Sequence, residues 1–262
     1  MDYVTFTNAG SLELCRNFLV SAINVGIDEN NLIVYCLDKK TYDVLDSEFN
    51  CQLNMFGDEI EEEYSSYGTD EFKIIMMKKL KIILEELKTK KSFIYSDSDI
   101  VFLKNPTDTI KEIVNIISED TNLNAIFATD AIPPQDELKT ICAGFVYIRN
   151  IEGTQELFEK AWEVCDQHMK DCQGRPWLDP TGDYCDQQVI RSLLSINAVP
   201  NFRYATFNME LVKNGNQFFP DPGPGRSGKE FVVHANFRPG VERKIKDMKE
   251  QGVWFLKEEV SS

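Results

Sequence analysis

Short apolar runs alternate with amphipathic stretches from the first residues onward. Tyr3-Val4-Thr5-Phe6-Thr7 reads as a first strand, and a helix from about Leu12 to Val25 follows Gly10-Ser11, with Ser11 placed to serve as its N-cap. Leu32 to Leu37 is a second apolar strand that ends at Asp38. Phe72, Met76, Leu80, Ile83 and Leu87 recur at three- to four-residue spacing, which predicts a helix from Thr69 or Asp70 to Leu87 with one apolar face. Ser92 to Ser96 is the next strand, Pro106 opens a helix toward Ile117, and Asn124 to Ala128 returns to a strand. This rhythm predicts an α/β fold whose mostly parallel central sheet is flanked by helices.

The second half is less regular. Ala143 to Ile148 reads as a strand, Glu152 to Met169 as a helix with Leu157, Phe158, Ala161, Trp162 and Cys165 inward, and Cys185 to Leu194 as a shorter helix. Residues 174–182 read as loop, and Pro220 to Gly228 is the densest Pro and Gly cluster, a turn-rich excursion near a sheet edge or a flap over a site, the edge excursion being the simpler reading. No internal repeat and no separating linker occurs, so a single domain over 1–262 is the simplest organisation.

Charge narrows the choice of partners. Against 28 Lys and Arg stand 43 Asp and Glu, a formal net charge of -15, so nucleic acid and anionic lipid are poor general partners. A small anionic substrate would need a metal ion or a few local cations. The seven cysteines show no CxxC spacing and sit mostly beside apolar residues, as small buried hydrophobes do. No apolar run approaches the roughly 20 residues of a membrane span. The start at Asp2 goes directly into strand-like residues, and the expected setting is reducing and cytoplasmic. Nothing in the sequence indicates an oligomeric state.

The chemistry concentrates at Phe93-Ile94-Tyr95-Ser96-Asp97-Ser98-Asp99-Ile100-Val101-Phe102, where two carboxylates follow an apolar strand. In open α/β sheets ligands bind beyond the carboxyl ends of such strands. Buried carboxylates need a countercharge, which Mg²⁺ or Mn²⁺ supplies while also accepting phosphate oxygens. His234, one of two histidines, comes directly after the apolar Phe231-Val232-Val233 and completes such a site if the two strand ends converge. A lone histidine at a strand end is otherwise more often structural. His168 falls late in a helical pattern and reads as a helix-end residue. Asp186 and Gln187 open the short helix, where a pocket wall and an ordinary cap are equally good readings of the aspartate.

Together these residues resemble the nucleotide-diphospho-sugar transferase family, glycosyltransferases of the GT-A fold with an Asp-x-Asp metal motif. Thr5-Phe6-Thr7-Asn8-Ala9-Gly10 resembles the family's first strand and the turn that meets the nucleotide, and Asn17 and Leu37-Asp38 resemble its next landmarks. Lys79 lies on a segment similar to the helix before the metal-binding strand, and Tyr95 to Pro106 resembles the strand, Asp-x-Asp and Asn-Pro pattern. Ala143-Gly144-Phe145 resembles the segment where donor sugar and acceptor meet, Asp186-Gln187 a pair beside the reacting carbon, and His234-Ala235-Asn236-Phe237 with Gly240 and Lys244 the C-terminal metal and phosphate motif. Phe237 departs from the pattern, since Trp is common there in relatives, and so does the long Pro and Gly segment before His234.

The resemblance implies metal-dependent transfer of a sugar from a nucleoside diphosphate donor, a UDP-sugar above all, to a glycan, glycoprotein or other hydroxyl acceptor. It implies Mn²⁺ or Mg²⁺ at Asp97, Asp99 and His234, with Asp99 the firmer direct ligand and Asp97 reaching the ion through water or meeting the ribose instead. Donor-binding roles fall to Thr7, Asn8, Asp38, Lys79, Asp97, Gly144 and Lys244, and catalytic ones to Asp186 and Gln187. Asp186 would hold sugar hydroxyls, and Gln187 would stabilise developing positive character, which favours retention. Asp130, after the strand ending at Ala128, is the candidate base should transfer invert. The nucleotide-binding part would span about 1–130 and the acceptor side about 131–262. Two other classes share these needs, a sugar nucleotidyltransferase and a non-catalytic carbohydrate-binding protein. Against the first, Asn8-Ala9-Gly10-Ser11 carries no basic residue for a phosphate loop.

Overall fold

The computed structural model describes residues 1–56, 70–118, 122–131, 140–171, 185–220 and 225–257, without the side chains of 70–73 and 117–118. The first elements are β1 (Tyr3–Thr7), α1 (Leu12–Asn24), β2 (Leu32–Cys36), α2 (Lys39–Glu48) and β3 (Gln52–Met55). Next come α3 (Asp70–Leu87), β4 (Ser92–Ser96), β5 (Ile100–Phe102), α4 (Thr107–Ser118), β6 (Ala125–Thr129) and β7 (Ile141–Arg149). The chain continues through α5 (Thr154–Asp171), α6 (Asp186–Ser195), β8 (Tyr204–Thr206), β9 (Val212–Lys213), α7 (Gly215–Phe218), β10 (Val232–His234) and α8 (Val241–Glu250). Two compact units interleave along it, one from Ser65–Tyr95 and Thr109–Asn208, the other from Asp2–Tyr64, Ser96–Asp108 and Met209–Ser262.

In the second of these, β1 and β3 both pair in parallel with β2, from Tyr3↔Leu32 to Thr7↔Cys36 on one side and Ile33↔Gln52 to Cys36↔Met55 on the other. Every residue of β1 and β2 is buried, as strands covered on both faces require, whereas β3 is largely exposed. Helix α2 goes unseen in the hydrophobic pattern because only Thr41 and Leu45 on it are buried. Its start is set by a cap, Asp38 accepting from Thr41 N at 2.7 Å. Ser11 occupies the N-cap position of α1 but does not cap it through its side chain, which turns back to donate to Asn8 Oδ1 at 3.0 Å.

The apolar run around the two aspartates proves to be two strands. β4 ends at Ser96, and β5 begins a separate small sheet of order β5-β10-β9. β10 runs antiparallel to β5, with His234 opposite Ile100, and parallel to β9. Behind this sheet lies a core of Leu14, Val101, Phe218, Phe219, Val233, Ala235, Met248 and Val253. Each of the Leu, Val, Phe and Met side chains in it contributes about 1.5–3 kcal/mol on full burial. Ser21 Oγ on α1 accepts from Phe102 N at 3.0 Å, tying that helix to β5. Asn17, buried on α1, accepts from Phe255 N at 2.6 Å and donates to Val253 O at 3.2 Å, so the resemblance landmark also anchors the segment after α8.

In the other unit the strand order is β4-β7-β6-β8, with β6 antiparallel to β7 and parallel to β8. Leu80, Ile83 and Leu87 of α3 are buried, as are Leu157, Phe158, Ala161 and Cys165 of α5, the faces expected from their spacing. Trp162 is half-buried, its ring 4.2 Å from Lys81 Nζ. His168 lies in the last turn of α5. The loop expected over 174–182 lies outside the described residues, as do positions 221–224 of the Pro and Gly segment. Where that segment is described, Gly225 and Gly228 adopt φ of 80° and 79°, and Lys213 Nζ donates to Gly225 O at 2.8 Å. Among the described residues, six cysteines are free and no helix is long and apolar enough to cross a membrane.

Candidate functional site

The pairing of β5 with β10 answers the condition set by the sequence. With His234 in register opposite Ile100, and Ala235 N donating to Asp99 O at 3.1 Å, the histidine is carried to the aspartate motif. His234 Nε2 lies 3.1 Å from Asp99 Oδ1 and 3.7 Å from Asp97 Oδ2. One ligand atom from each of the three residues falls within 4.8 Å of the others, a group that could hold a metal ion. Two carboxylate oxygens and one imidazole nitrogen form a donor set that suits Mn²⁺, and Mg²⁺ less well.

Electrostatics at the cluster are strong. Lys244 on α8 reaches the other oxygen of Asp99, Nζ to Oδ2 at 2.6 Å. Burial alone would push the Asp99 carboxyl up, but Lys244 and His234 outweigh it and hold the group well below the usual carboxylate range. Burial would push His234 down, yet Asp99 and then Asp97 outweigh it, so its pKa is raised. The buried aspartate thus has the Lys244 ammonium and the His234 imidazole as partners within the protein itself, as an uncompensated buried charge would not be tolerated.

The nucleotide-side residues of the resemblance meet at the ends of β1 and β2. Asp38 Oδ2 accepts from Ala9 N at 2.7 Å and from Thr41 Oγ1 at 2.8 Å, so the α2 cap also ties down the turn after β1. Ser11 Oγ lies 3.0 Å from Thr7 Oγ1, closing the turn around Asn8.

A second network forms within the unit of β4, β6, β7 and β8. The β6–β7 register shifts between Phe127↔Val146 and Ala128↔Cys142, so that residues 143–145 of β7 fall within the shift. Such irregularities re-aim backbone groups, often beside functional sites. Ala143 N donates to Gln187 Oε1 at 2.9 Å, and Ala143 O accepts from Lys79 Nζ at 3.4 Å. Lys79, itself 5.1 Å from the Tyr95 ring centroid, pairs with Asp186 Oδ2 at 3.1 Å, both side chains only 3% exposed. Asp186 is therefore not a helix cap; Cys185 holds the N-cap position of α6. Gln187 Nε2 donates to Asp130 Oδ2 at 3.0 Å, and Arg191 Nη2 reaches the same oxygen at 3.2 Å. The sequence reading missed Arg191, although a residue four positions after Gln187 on a helix shares its face.

It also missed Gly215. Gly215 N donates to Asn236 Oδ1 at 2.8 Å, Gly215 O accepts from Arg238 Nη2 at 3.1 Å, and a Cβ here would lie 1.9 Å from Asn236 O. Between these two clamped residues Phe237 adopts φ 58° and stays exposed, a costly backbone for a non-glycine residue.

A family model for nucleotide-diphospho-sugar transferases matches residues 29–248. The chain belongs to this family. Family relatives include the UDP-galactose:fucoside alpha-3-galactosyltransferase of Dictyostelium discoideum, 25% identical over 98% of this chain and 43% of that protein. The UDP-D-xylose:L-fucose alpha-1,3-D-xylosyltransferase MGP4 of Arabidopsis thaliana is 23% identical over 74% of this chain and 53% of that protein. The chain spans about half the length of the curated relatives it matches. Among solved structures, the galactosyltransferase LgtC bound to donor and acceptor sugar analogues aligns over 98% of both chains at 12% identity and a TM-score of 0.57. A glycosyltransferase involved in glycosylation of the major capsid of PBCV-1 aligns over 95% of this chain and 98% of that one, at 14% identity and a TM-score of 0.53. Likeness at these identities shows the fold, a GT-A-like α/β arrangement.

Proposed function

We propose that the chain is a metal-dependent glycosyltransferase that moves a sugar from a UDP-sugar to a hydroxyl of a glycan, with retention at the anomeric carbon. The observation that carries this reading is the Asp97, Asp99 and His234 cluster created by the β5–β10 pairing. When bound there, Mn²⁺ or Mg²⁺ supplies Lewis-acid neutralisation of the diphosphate charge that develops as the sugar departs. Asp97, Asp99 and His234 are the ligands, and Lys244 offers its ammonium to the phosphates. Thr7, Asn8 and Asp38, at the ends of β1 and β2, receive the nucleoside, so that nucleotide binding draws mainly on about 1–130 and acceptor binding on about 131–262, all within one domain. Asp186, oriented by Lys79, accepts sugar hydroxyls near Gly144, and Gln187 places its amide oxygen where positive character develops.

Relatives guide the choice of substrates. The slime-mould and plant enzymes differ in the sugar they carry, galactose or xylose, but both names give a UDP donor, a fucose-containing acceptor and an alpha linkage. We assign a fucoside as the acceptor and leave hexose and pentose donors to be sorted by assay. The deciding experiment incubates the protein with UDP-galactose, UDP-xylose and UDP-glucose, with and without a fucoside, in Mn²⁺ and in chelator, and follows UDP release. Fucoside-stimulated, chelator-sensitive release that Asp99→Ala abolishes, with an unchanged circular dichroism spectrum, is the expected result. Full turnover in chelator or in the variant would refute the metal assignment. Proton NMR of the product's anomeric coupling reads stereochemistry, and an inverted product would remove Gln187 from its role.

A further inference from the structure

We infer that Asp130, braced by Arg191, is a positioning residue that fixes which end of the Gln187 amide faces the reaction, and that it is not a base. This rests on the reading of Gln187 as the polar group beside the reacting carbon. A carboxamide has two unlike ends, an oxygen that accepts and carries partial negative charge and an NH₂ that donates and carries partial positive charge. Only the oxygen stabilises developing positive character, so a flipped amide would oppose the chemistry.

The neighbours of Gln187 permit one orientation. Ala143 N–H can only donate, and it meets Oε1 at 2.9 Å; the Asp130 carboxylate accepts, and it meets Nε2 at 3.0 Å. Flipping the amide would set NH₂ against N–H and oxygen against carboxylate oxygen, losing both bonds at once. Ala143 falls within the β6–β7 register shift. The acceptor end is secured as well: Arg191 Nη2 lies 3.2 Å from Asp130 Oδ2, while Arg191 Nε and Nη2 donate to Ile141 O at 2.9 and 2.6 Å. Asp130 N, in turn, donates to Thr140 O at 2.7 Å.

Spacing explains why these groups coincide. Gln187 and Arg191 are four apart on α6, hence on one helix face, and Ile141 and Ala143 are two apart on β7, hence on one side of the strand. Asp130, one residue past β6, closes the ring between the two elements. Its Oδ2 already accepts from two donors, one of them a guanidinium, which suits an anchor better than a group that must take a proton from an attacking hydroxyl.

The test compares wild type with Asp130→Ala, Arg191→Met and the double variant in metal-dependent donor turnover, and records the side-chain amide resonances of Gln187, assigned by their loss in Gln187→Glu. Positioning predicts that Asp130→Ala, which removes the acceptor, lowers kcat by about a hundredfold, the scale expected for a misplaced reacting group, with donor KM and the shape of the pH–rate profile unchanged. The double variant should be no worse than Asp130→Ala, because both changes release the same amide. The Gln187 NH₂ resonances should shift and exchange faster with solvent in each variant. Loss of the acidic limb of the profile in Asp130→Ala would identify a base and overturn the inference, as would an unchanged kcat, a change confined to KM, or unmoved Gln187 resonances. Folding of each variant is checked by near-UV circular dichroism, with Arg191→Lys replacing Arg191→Met if the latter fails to fold. If wild type turns over no nucleotide sugar, the proposed activity fails, while the amide resonances still decide whether Asp130 holds Gln187.

Discussion

Lys244 Nζ lies 2.6 Å from Asp99 Oδ2, while Oδ1 of the same carboxylate faces His234 Nε2 at 3.1 Å. On the proposed function the lysine would compete with a divalent ion for the carboxylate while adding charge for a phosphate. Lys244→Met should tighten Mn²⁺ binding by the protein alone and weaken UDP binding in saturating Mn²⁺, each by about five- to tenfold, the scale of 1 kcal/mol or slightly more. Calorimetric titrations of metal and then of UDP measure both. Parallel weakening of the two would show that the lysine only supports the cluster.

The raised pKa of His234 sets a pH dependence with opposite signs for two observables. Without metal, the stability that the histidine gains from Asp99 and Asp97 is fully present below its unfolded pKa of about 6.5 and is lost as pH rises through the higher folded value. Metal binding requires the neutral imidazole, so Mn²⁺ affinity should fall as pH drops through that same raised value. Asp99, held low, retains its contribution until strongly acid pH and adds little to this window. Mn²⁺ titrations across the window, with His234→Ala as control, should give a sloping profile for wild type and a flatter, weaker one for the variant.

The Lys79–Asp186 pair is buried on both sides. Removing the cation alone leaves a carboxylate without its countercharge, so Lys79→Met should cost about 3–5 kcal/mol of folding stability. Adding Asp186→Leu should recover much of that loss. Urea denaturation of both variants checks this, and an additive further loss in the double variant would contradict it.

Gly215→Ala brings a methyl group to within 1.9 Å of Asn236 O, where backbone must move. We expect a loss of about 1–3 kcal/mol. Phe237→Gly, by contrast, relieves a φ of 58° and should leave thermal stability unchanged or raised. Melting temperatures of the two variants should move apart.

Strand and helix identities were legible wherever one face had to be apolar. β1, β2, β4, α3 and α5 follow the hydrophobic pattern because each buries a stripe or both faces. Elements specified by other means escaped it: α2 rests on the Asp38 cap, and β5 and β9 are so short that their pairing partners define them.

By itself the sequence determined the residue types of the site, two aspartates after a strand, a histidine after another, and an Asp-Gln pair opening a helix. Spacing and polarity express those facts locally. Tertiary structure alone decided that His234 sits opposite Ile100 and so beside Asp99, because strand register is a long-range choice between segments more than a hundred residues apart in the sequence. It also decided the partners of each charge. Lys244 on Asp99, Lys79 on Asp186 and Arg191 on Asp130 form because a carboxylate withdrawn from water must find a cation, and which cation arrives depends on packing that no local pattern encodes.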